Sequence, residues 1–381
     1  MKIGILTYHS SHNYGAFLQA YALVYALREE TNHDVEIIDF SMKCAEKMNR
    51  QVVFFNKRQF ESIYFNLKKY IMFENAKKEY APISKERCVS DSLEDFIHFI
   101  SNRYDVIITG SDEVWKMDGY RGFPNPYWLP GIENCLKIAY AVSSRNEKDK
   151  LSSKQIAQCR NLALDYDYIG VRDDATKTLI ETILGPGKCI HKNCDPTFAY
   201  KFNADKDRGE MILRRKFGID TNKKVIGLMC GVVGLGKQIV EVLKDDYQIV
   251  SLYYYYRNTK GFAVIDPFEW IDVIAALDGL ITTFFHGMVF AIKYDTPFIS
   301  IENREISDVM FSKHYALLNE YSLADRCVLY RNGQEDVVVS KVKSFIDENV
   351  KTQKNINFSD VREGERVKFN SFLRDLKTLT E

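Results

Sequence analysis

The sequence alternates short apolar runs, polar loops and amphipathic stretches, and this alternation constrains the fold more than any other feature. Lys2–Tyr8 is an apolar run of strand type, and His9–Gly15 is a polar loop. In Ala16–Glu30, Leu18, Tyr21, Ala22, Tyr25 and Ala26 recur at helical spacing, and Asp34–Phe40 is a second apolar run. Strand, loop, helix and strand in that order make the βαβ unit of a parallel sheet. The alternation resumes with strands predicted at Tyr104–Thr109, Lys137–Val142 and Tyr168–Val171, and helices at Ser152–Leu164 and Ala175–Leu184. A second set has strands predicted at Lys224–Met229, Gln248–Tyr254, Gly279–Thr282 and Pro297–Ile301. Its helices are predicted at Lys237–Lys244, Phe268–Leu277 and His286–Tyr294, with Gly231–Gly236 as a glycine-rich turn. The expectation is an α/β chain of two doubly wound Rossmann-like domains facing a cleft. Open α/β sheets bind ligands beyond the carboxyl ends of their strands, where the polar loops lie.

A chain of 381 residues suits two cores better than one. The charged stretch 201–224 separates the two sets, so the domains are placed at 1–205 and 206–355, followed by a C-terminal helix within 356–381. Residues 43–90 break the alternation with aromatic residues at helical spacing and eleven Lys/Arg against five Glu, a net of +6. They read as a helical insertion with a solvated basic face, or as a lid or patch for anionic lipid or an anionic acceptor.

Composition excludes several classes. Lys plus Arg equals Asp plus Glu, 52 against 52, which argues against a globally basic nucleic-acid binder. No apolar run is long enough to span a bilayer, and the apolar start is too short for a signal peptide. A cytoplasmic location is expected, with the eight cysteines reduced and no Cys-x-x-Cys pair to suggest zinc. The aromatic share of 13% fits aromatic-rich cores better than a carbohydrate-handling surface.

Four strand-end loops carry the chemistry-bearing residues: His12–Gly15, Gly110–Asp112, Arg172–Asp173 and Thr283–Gly287. Singly, each has a plain reading as a turn, a helix cap, an ion pair or a core histidine. Together they fall where a doubly wound fold builds its site. His286 opens a helix after a strand, where backbone N–H groups favour an anion and a neutral imidazole suited to acid–base work. Gly287 would let a ligand approach the backbone. The Gly231–Gly236 turn with Lys237 is a second possible phosphate cradle, although it matches neither the Walker nor the dinucleotide fingerprint.

These motifs carry a resemblance. Asn13–Leu23, Asp105–Trp115, Ala139–Ser143, Val171–Asp173, Asp195–Thr197, Ile281–Ala291 and Pro297–Ile301 resemble, in order, the blocks of the polysaccharide pyruvyl transferase family. The resemblance implies an arrangement similar to glycosyltransferase B, with a C-terminal helix crossing back to the first domain. It implies transfer of the pyruvyl group of phosphoenolpyruvate to two hydroxyls of a sugar, with release of phosphate. The sugar would belong to a cell-surface polysaccharide or its lipid-linked precursor, at the inner face of the membrane.

His286 is then expected as general acid or base and Asp112 as its partner or the residue that orients an acceptor hydroxyl. Asn13, Tyr14, Gly15, Gly110, Ser111, Arg145, Arg172, Lys237 and Gly287 are expected to bind substrate. No metal and no cofactor beyond phosphoenolpyruvate as co-substrate is expected. The partners expected are a sugar or glycolipid acceptor and weakly a membrane surface, not nucleic acid, with a homodimer left open. Many family members carry arginines where this chain has Phe284 and the Met229–Gly231 segment, and glycine near Arg145. Lys237, Arg172 or Arg145 would then supply the anion clamp. The alternatives are a nucleotide-sugar glycosyltransferase and a catalytically silent glycan-binding or assembly subunit.

Overall fold

The structure is a computed structural model. It describes residues 1–54, 60–254, 256, 259, 264–302, 312–351 and 356–381, without the side chains of 52–62. The chain forms two compact units. Unit 1 comprises Met1–Arg58, Glu74–Lys201 and Gly364–Glu381, and unit 2 comprises Gln59–Phe73 and Phe202–Glu363.

Unit 1 is built on seven parallel strands: β1 (Lys2–Leu6), β2 (Asp34–Ser41), β3 (Ile83–Val89), β4 (Val106–Thr109), β5 (Leu136–Val142), β6 (Tyr168–Val171) and β7 (His191–Lys192). Their order is β3-β2-β1-β4-β5-β6-β7, so the chain reverses direction across the sheet between β1 and β4. That is a topological switch point, where doubly wound folds leave a crevice. The register is in line there, with Ile3 opposite Val106 and Leu6 opposite Thr109. Strand β4 is buried at every position, as a central strand covered on both faces must be. The helices of this unit are α1 (Tyr14–Glu30), α2 (Lys43–Phe54), the end of α3 (Phe60–Tyr80), α4 (Leu93–Ile100), α5 (Ser153–Leu164), α6 (Asp174–Leu184) and α7 (Pro196–Ala199).

The stretch 43–90, expected to be a helical insertion, is α2 and α3 followed by β3. The strand was hidden because its middle residues Lys85–Arg87 are exposed, as suits a charged edge strand. Part of its basic charge is neutralised locally, since Arg50 and Arg87 both pair with Glu46.

Among the described residues, unit 2 has five parallel strands, β8 (Val225–Met229), β9 (Gln248–Ser251), β10 (Gly279–Thr282), β11 (Phe298–Glu302) and β12 (Cys327–Leu329), in the order β12-β11-β10-β8-β9. Its switch point lies between β8 and β10. Around them run α8 (Lys206–Phe217), α9 (Val233–Leu243), α10 (Pro267–Ala276), α11 (Phe285–Lys293), α12 (Lys313–Glu320) and α13 (Glu335–Ile346). The charged 201–224 stretch, where the sets were separated, holds α8. Asp205 caps α8, and Gly209 lets that helix close onto the Asp272 carbonyl of α10, where a Cβ would collide.

The final helix, α14 (Ser359–Thr380), lays Phe372 against Tyr140 and Tyr168 of unit 1, with ring centroids 4.5 and 5.4 Å apart. The aromatic residues fill cores: Trp115 stacks on Trp128 at 4.3 Å, and both are buried with Tyr140, Tyr166 and Phe40. Both units are thus doubly wound and Rossmann-like.

Candidate active site

In unit 1 the loops after β1, β4, β5 and β6 converge at the carboxyl end of the sheet. Asn13 caps α1, its side-chain oxygen accepting from the N–H groups of Gly15 (2.8 Å) and Ala16 (3.3 Å). Tyr14 and Gly15 are buried in the first turn. Gly110 has a φ of +124°, and a Cβ there would overlap the Tyr140 carbonyl, so the position requires glycine. Ser111 is fully buried. Its hydroxyl donates to the Ala141 carbonyl at 3.0 Å, and its own carbonyl accepts from the Thr7 hydroxyl at 2.9 Å. Ser111 therefore ties β1, β4 and β5 together, and it takes no surface position for a substrate.

Asp112 adopts a φ of +88° and bridges to β5, its carbonyl accepting from Ser143 N at 2.9 Å. No helix follows Asp112, so the segment is not a helix cap. Its carboxylate lies 3.5 Å from the Arg172 guanidinium, which is 2.9 Å from Asp195 on its other side. Burial alone would lower the pKa of Arg172, but the carboxylates of Asp195, Asp112 and Asp173 outweigh it and hold the group above its usual value. Arg172 is therefore a buried cation beside Asp195 and Asp112, not a surface ion pair. Arg145, at a φ of 54°, faces Glu113 at 3.4 Å. Two histidines of the β1 loop are also engaged. The ring nitrogens of His9 lie 3.2 Å from the Thr7 carbonyl and 3.1 Å from Asp39, and Nε2 of His12 lies 3.1 Å from Glu74 on α3. Burial would raise the Glu74 pKa, but hydrogen bonds from His12 and Lys77 bring it down to about 2.

In unit 2 the switch point is formed by the start of α9 and the start of α11. Neither Val232 nor Phe284, at the two N-cap positions, offers a side-chain cap. The two starts are joined, since Gly231 N donates to the Thr283 hydroxyl at 2.8 Å and Thr283 N donates to the Met229 carbonyl at 2.8 Å. First-turn N–H groups lack intrahelical partners, so the pair forms a positive surface suited to an anion. His286 is the second residue of α11, partly exposed, with its ring edge-on to Phe285 at 5.6 Å.

Two expectations are corrected here. Gly287 is buried against β10. A Cβ would lie 2.5 Å from the Thr282 hydroxyl and 3.2 Å from Met229 Sδ, so glycine serves helix–strand packing and does not open the backbone to a ligand. The Gly231–Gly236 stretch is not a loop cradle, because α9 already starts at Val233 and Gly236 packs on the Tyr256 ring. Lys237 consequently stands on an exposed face of α9, a turn beyond its start.

A different cation stands near the site. Lys69 of α3 places its ammonium 3.3 Å from the centroid of the Tyr253 ring, which packs on Phe284 at 4.6 Å. Lys69 is partly buried as a residue, and the protein crowded round its ammonium pushes it down to about 7. The only sequence signal for Lys69 was its membership of a basic aromatic stretch, which names no position.

The fold is similar to those of several solved structures. A putative UDP-N-acetylglucosamine 2-epimerase from Listeria monocytogenes is 10% identical, with a TM-score of 0.59 over 100% of this chain and 96% of that one. UDP-GlcNAc 2-epimerase from Methanocaldococcus jannaschii is 14% identical, with a TM-score of 0.55 over 99% and 100%. The enzyme from Neisseria meningitidis, bound to UDP-GlcNAc, is 9% identical, with a TM-score of 0.51 over 97% and 100%. Identities this low establish likeness of fold alone. No curated protein matches the sequence. Residues 13–305 match the family described as polysaccharide pyruvyl transferase, a span running from the Asn13 cap past the α11 histidine and β11. The chain therefore belongs to the polysaccharide pyruvyl transferase family, a family of transferases.

Proposed function

We propose that this transferase moves the pyruvyl group of phosphoenolpyruvate onto two hydroxyls of one sugar in a cell-surface polysaccharide or its lipid-linked precursor. The observation that carries the reading is the joined, uncapped pair of helix starts at the β8–β10 switch point, with His286 one residue inside α11. Phosphoenolpyruvate carries a phosphate and a carboxylate, and two helix N-termini suit two anionic groups. Protonation of the methylene carbon makes C2 electrophilic. One sugar hydroxyl adds to C2 and loses its proton, the C2–O bond to phosphate breaks, and the second hydroxyl closes the ketal with loss of its own proton. His286 is assigned the proton transfers. Lys69, next to the Tyr253–Phe284 ring pair, takes the role of relocated cation that Lys237 was expected to fill. The unit 1 loops around Asn13, Asp112 and Arg145 are assigned to the acceptor.

The acceptor's lipid-linked state and a place at the inner membrane face belong to the same proposal. Among the described residues no helix is long and apolar enough to cross a membrane. A nucleotide-sugar donor is the second reading, favoured by the tilted aromatic pair where the resembled family usually has an arginine and by neighbours whose names carry UDP-GlcNAc.

Calorimetry with phosphoenolpyruvate and, separately, UDP-GlcNAc decides between the donors. Phosphoenolpyruvate is expected to bind, and His286→Ala is expected to bind it equally while losing roughly 100-fold or more in phosphate release to acceptor glycans. Binding of UDP-GlcNAc without phosphoenolpyruvate would favour the second reading, and full turnover in His286→Ala would remove His286 from the mechanism.

A further inference from the structure

Arg121 differs from the other guanidinium groups around the unit 1 switch point. Arg172 faces Asp195 and Asp112, and Arg145 faces Glu113. Among the described residues no carboxylate lies within ion-pair range of Arg121, and its buried Nε has no hydrogen-bond partner. Tyrosines surround it instead. The guanidinium carbon lies 3.9 Å from the centroid of the Tyr8 ring and 4.5 Å from that of Tyr120. Tyr8 is set two residues beyond the end of β1, packs edge-on against Tyr127 at 4.9 Å, and donates its hydroxyl to the Glu113 carbonyl in the loop after β4 at 3.0 Å. Arg121 is thus held beside the β1–β4 crevice.

A partly buried guanidinium without a counter-ion is costly, and cation–π contacts return only part of that cost. The tyrosine walls fix the position of the charge, and their faces are occupied by it, so they do not offer a stacking platform for a sugar. A guanidinium held between tyrosine rings suits an anion with oxygens that its fork can grip, as phosphate has.

We infer that Arg121 is an anion-binding residue that takes a phosphate group of the sugar acceptor. The inference rests on the assignment of the acceptor to unit 1 but not on the identity of the donor. The phosphate meant is the one that joins the glycan to its carrier in the lipid-linked precursor of the proposed function, and the new element is the residue that holds it.

The test uses the full chain, Arg121→Met and Arg121→Lys, with inorganic pyrophosphate as the probe and phosphoenolpyruvate present in excess to fill the donor site. Pyrophosphate is expected to bind wild type, with roughly ten- to a hundred-fold weaker binding in Arg121→Met and partial recovery in Arg121→Lys. Phosphoenolpyruvate affinity is expected to be the same in all three. The thermal midpoint without ligand separates binding from packing: Arg121→Met should be at least as stable as wild type, because the unpaired charge is gone. A large drop in that midpoint, pyrophosphate affinity independent of residue 121, or loss of phosphoenolpyruvate binding in Arg121→Met would each overturn the inference. If wild type binds no phosphoenolpyruvate, the donor reading fails, and residue-121-dependent pyrophosphate binding would still uphold the acceptor site.

Discussion

The charges of unit 1 divide by enclosure. The Arg172 side chain is 3% exposed and its partner Asp195 is fully buried, whereas Asp112 is 18% exposed and 0.6 Å farther from the guanidinium. Removing one member of an enclosed pair leaves a buried charge uncompensated, which costs about 3–5 kcal/mol, while a partly exposed pair is worth about 1 kcal/mol or less. Asp195→Asn keeps the oxygen that caps α7 and removes the charge. Urea unfolding should show a loss of about 3 kcal/mol for it and a much smaller one for Asp112→Asn; equal losses would contradict the division. In unit 2, Lys69 sets a pH dependence. Its folded value is about 7 against an ordinary 10.5. Below pH 7 both folded and unfolded chains hold the proton, and the folded chain bears the full desolvation penalty. Between 7 and 10.5 the unfolded chain holds the proton more firmly, so stability rises with pH across that window. Lys69→Met removes the penalty at every pH. Its stability advantage over wild type in urea should be largest near pH 6.5 and shrink by pH 8.5, and a constant difference would mean that the ammonium is well solvated.

Helix packing shows why some elements were legible and others were not. The central strands β1, β4, β8 and β10 are buried, and their apolar runs could be read directly from the sequence. β3 was missed because its middle faces solvent, and α8 because its charged face outweighs the narrow stripe of Ile212, Leu213 and Phe217. The start of α9 was displaced by glycines that look like turn residues, one of which, Gly236, is required by the Tyr256 ring. Two helical glycines should therefore respond oppositely to alanine. A Cβ on Gly234 would meet no neighbouring segment within 4 Å, so Gly234→Ala should stabilise by about 0.5–1 kcal/mol through helix propensity. Gly209→Ala would drive a Cβ into the backbone carbonyl of Asp272, which cannot rotate away, and should destabilise by at least about 1–3 kcal/mol. Denaturant midpoints of the two single variants check both signs.

At the scale of the whole chain, what the sequence left illegible was pairing over long separations. The loops bearing Asn13, Asp112, Arg172 and His286 could be placed at strand ends from local pattern alone. That Arg172 would be enclosed by Asp195, that Gly287 would be needed by Thr282, or that Lys69 would reach Tyr253 depends on which distant segments meet. The same holds for the end of the chain. Phe369 and Phe372 are fully buried and Leu376 is 1% exposed, although they lie more than 150 residues beyond the rest of unit 1. Phe372 packs on Tyr140 and Tyr168, and Arg366 donates to the Ala199 carbonyl at 2.6 Å. Burying each of these three apolar side chains contributes about 1.5–3 kcal/mol, so together they are comparable to the whole stability of an ordinary domain. A chain ending at Glu363 should therefore lose the folded state of unit 1 while unit 2, whose strands β8–β12 and helices α8–α13 lie before that point, keeps its own. Phe372→Ala is the milder version and should cost about 3–5 kcal/mol. Calorimetry should resolve two transitions in the intact chain, with the unit 1 transition absent in the truncated chain and lowered in Phe372→Ala. If both transitions fall together, the two units unfold as one cooperative body and the helix stabilises the molecule as a whole; if neither moves, its buried aromatic face contributes nothing to unit 1.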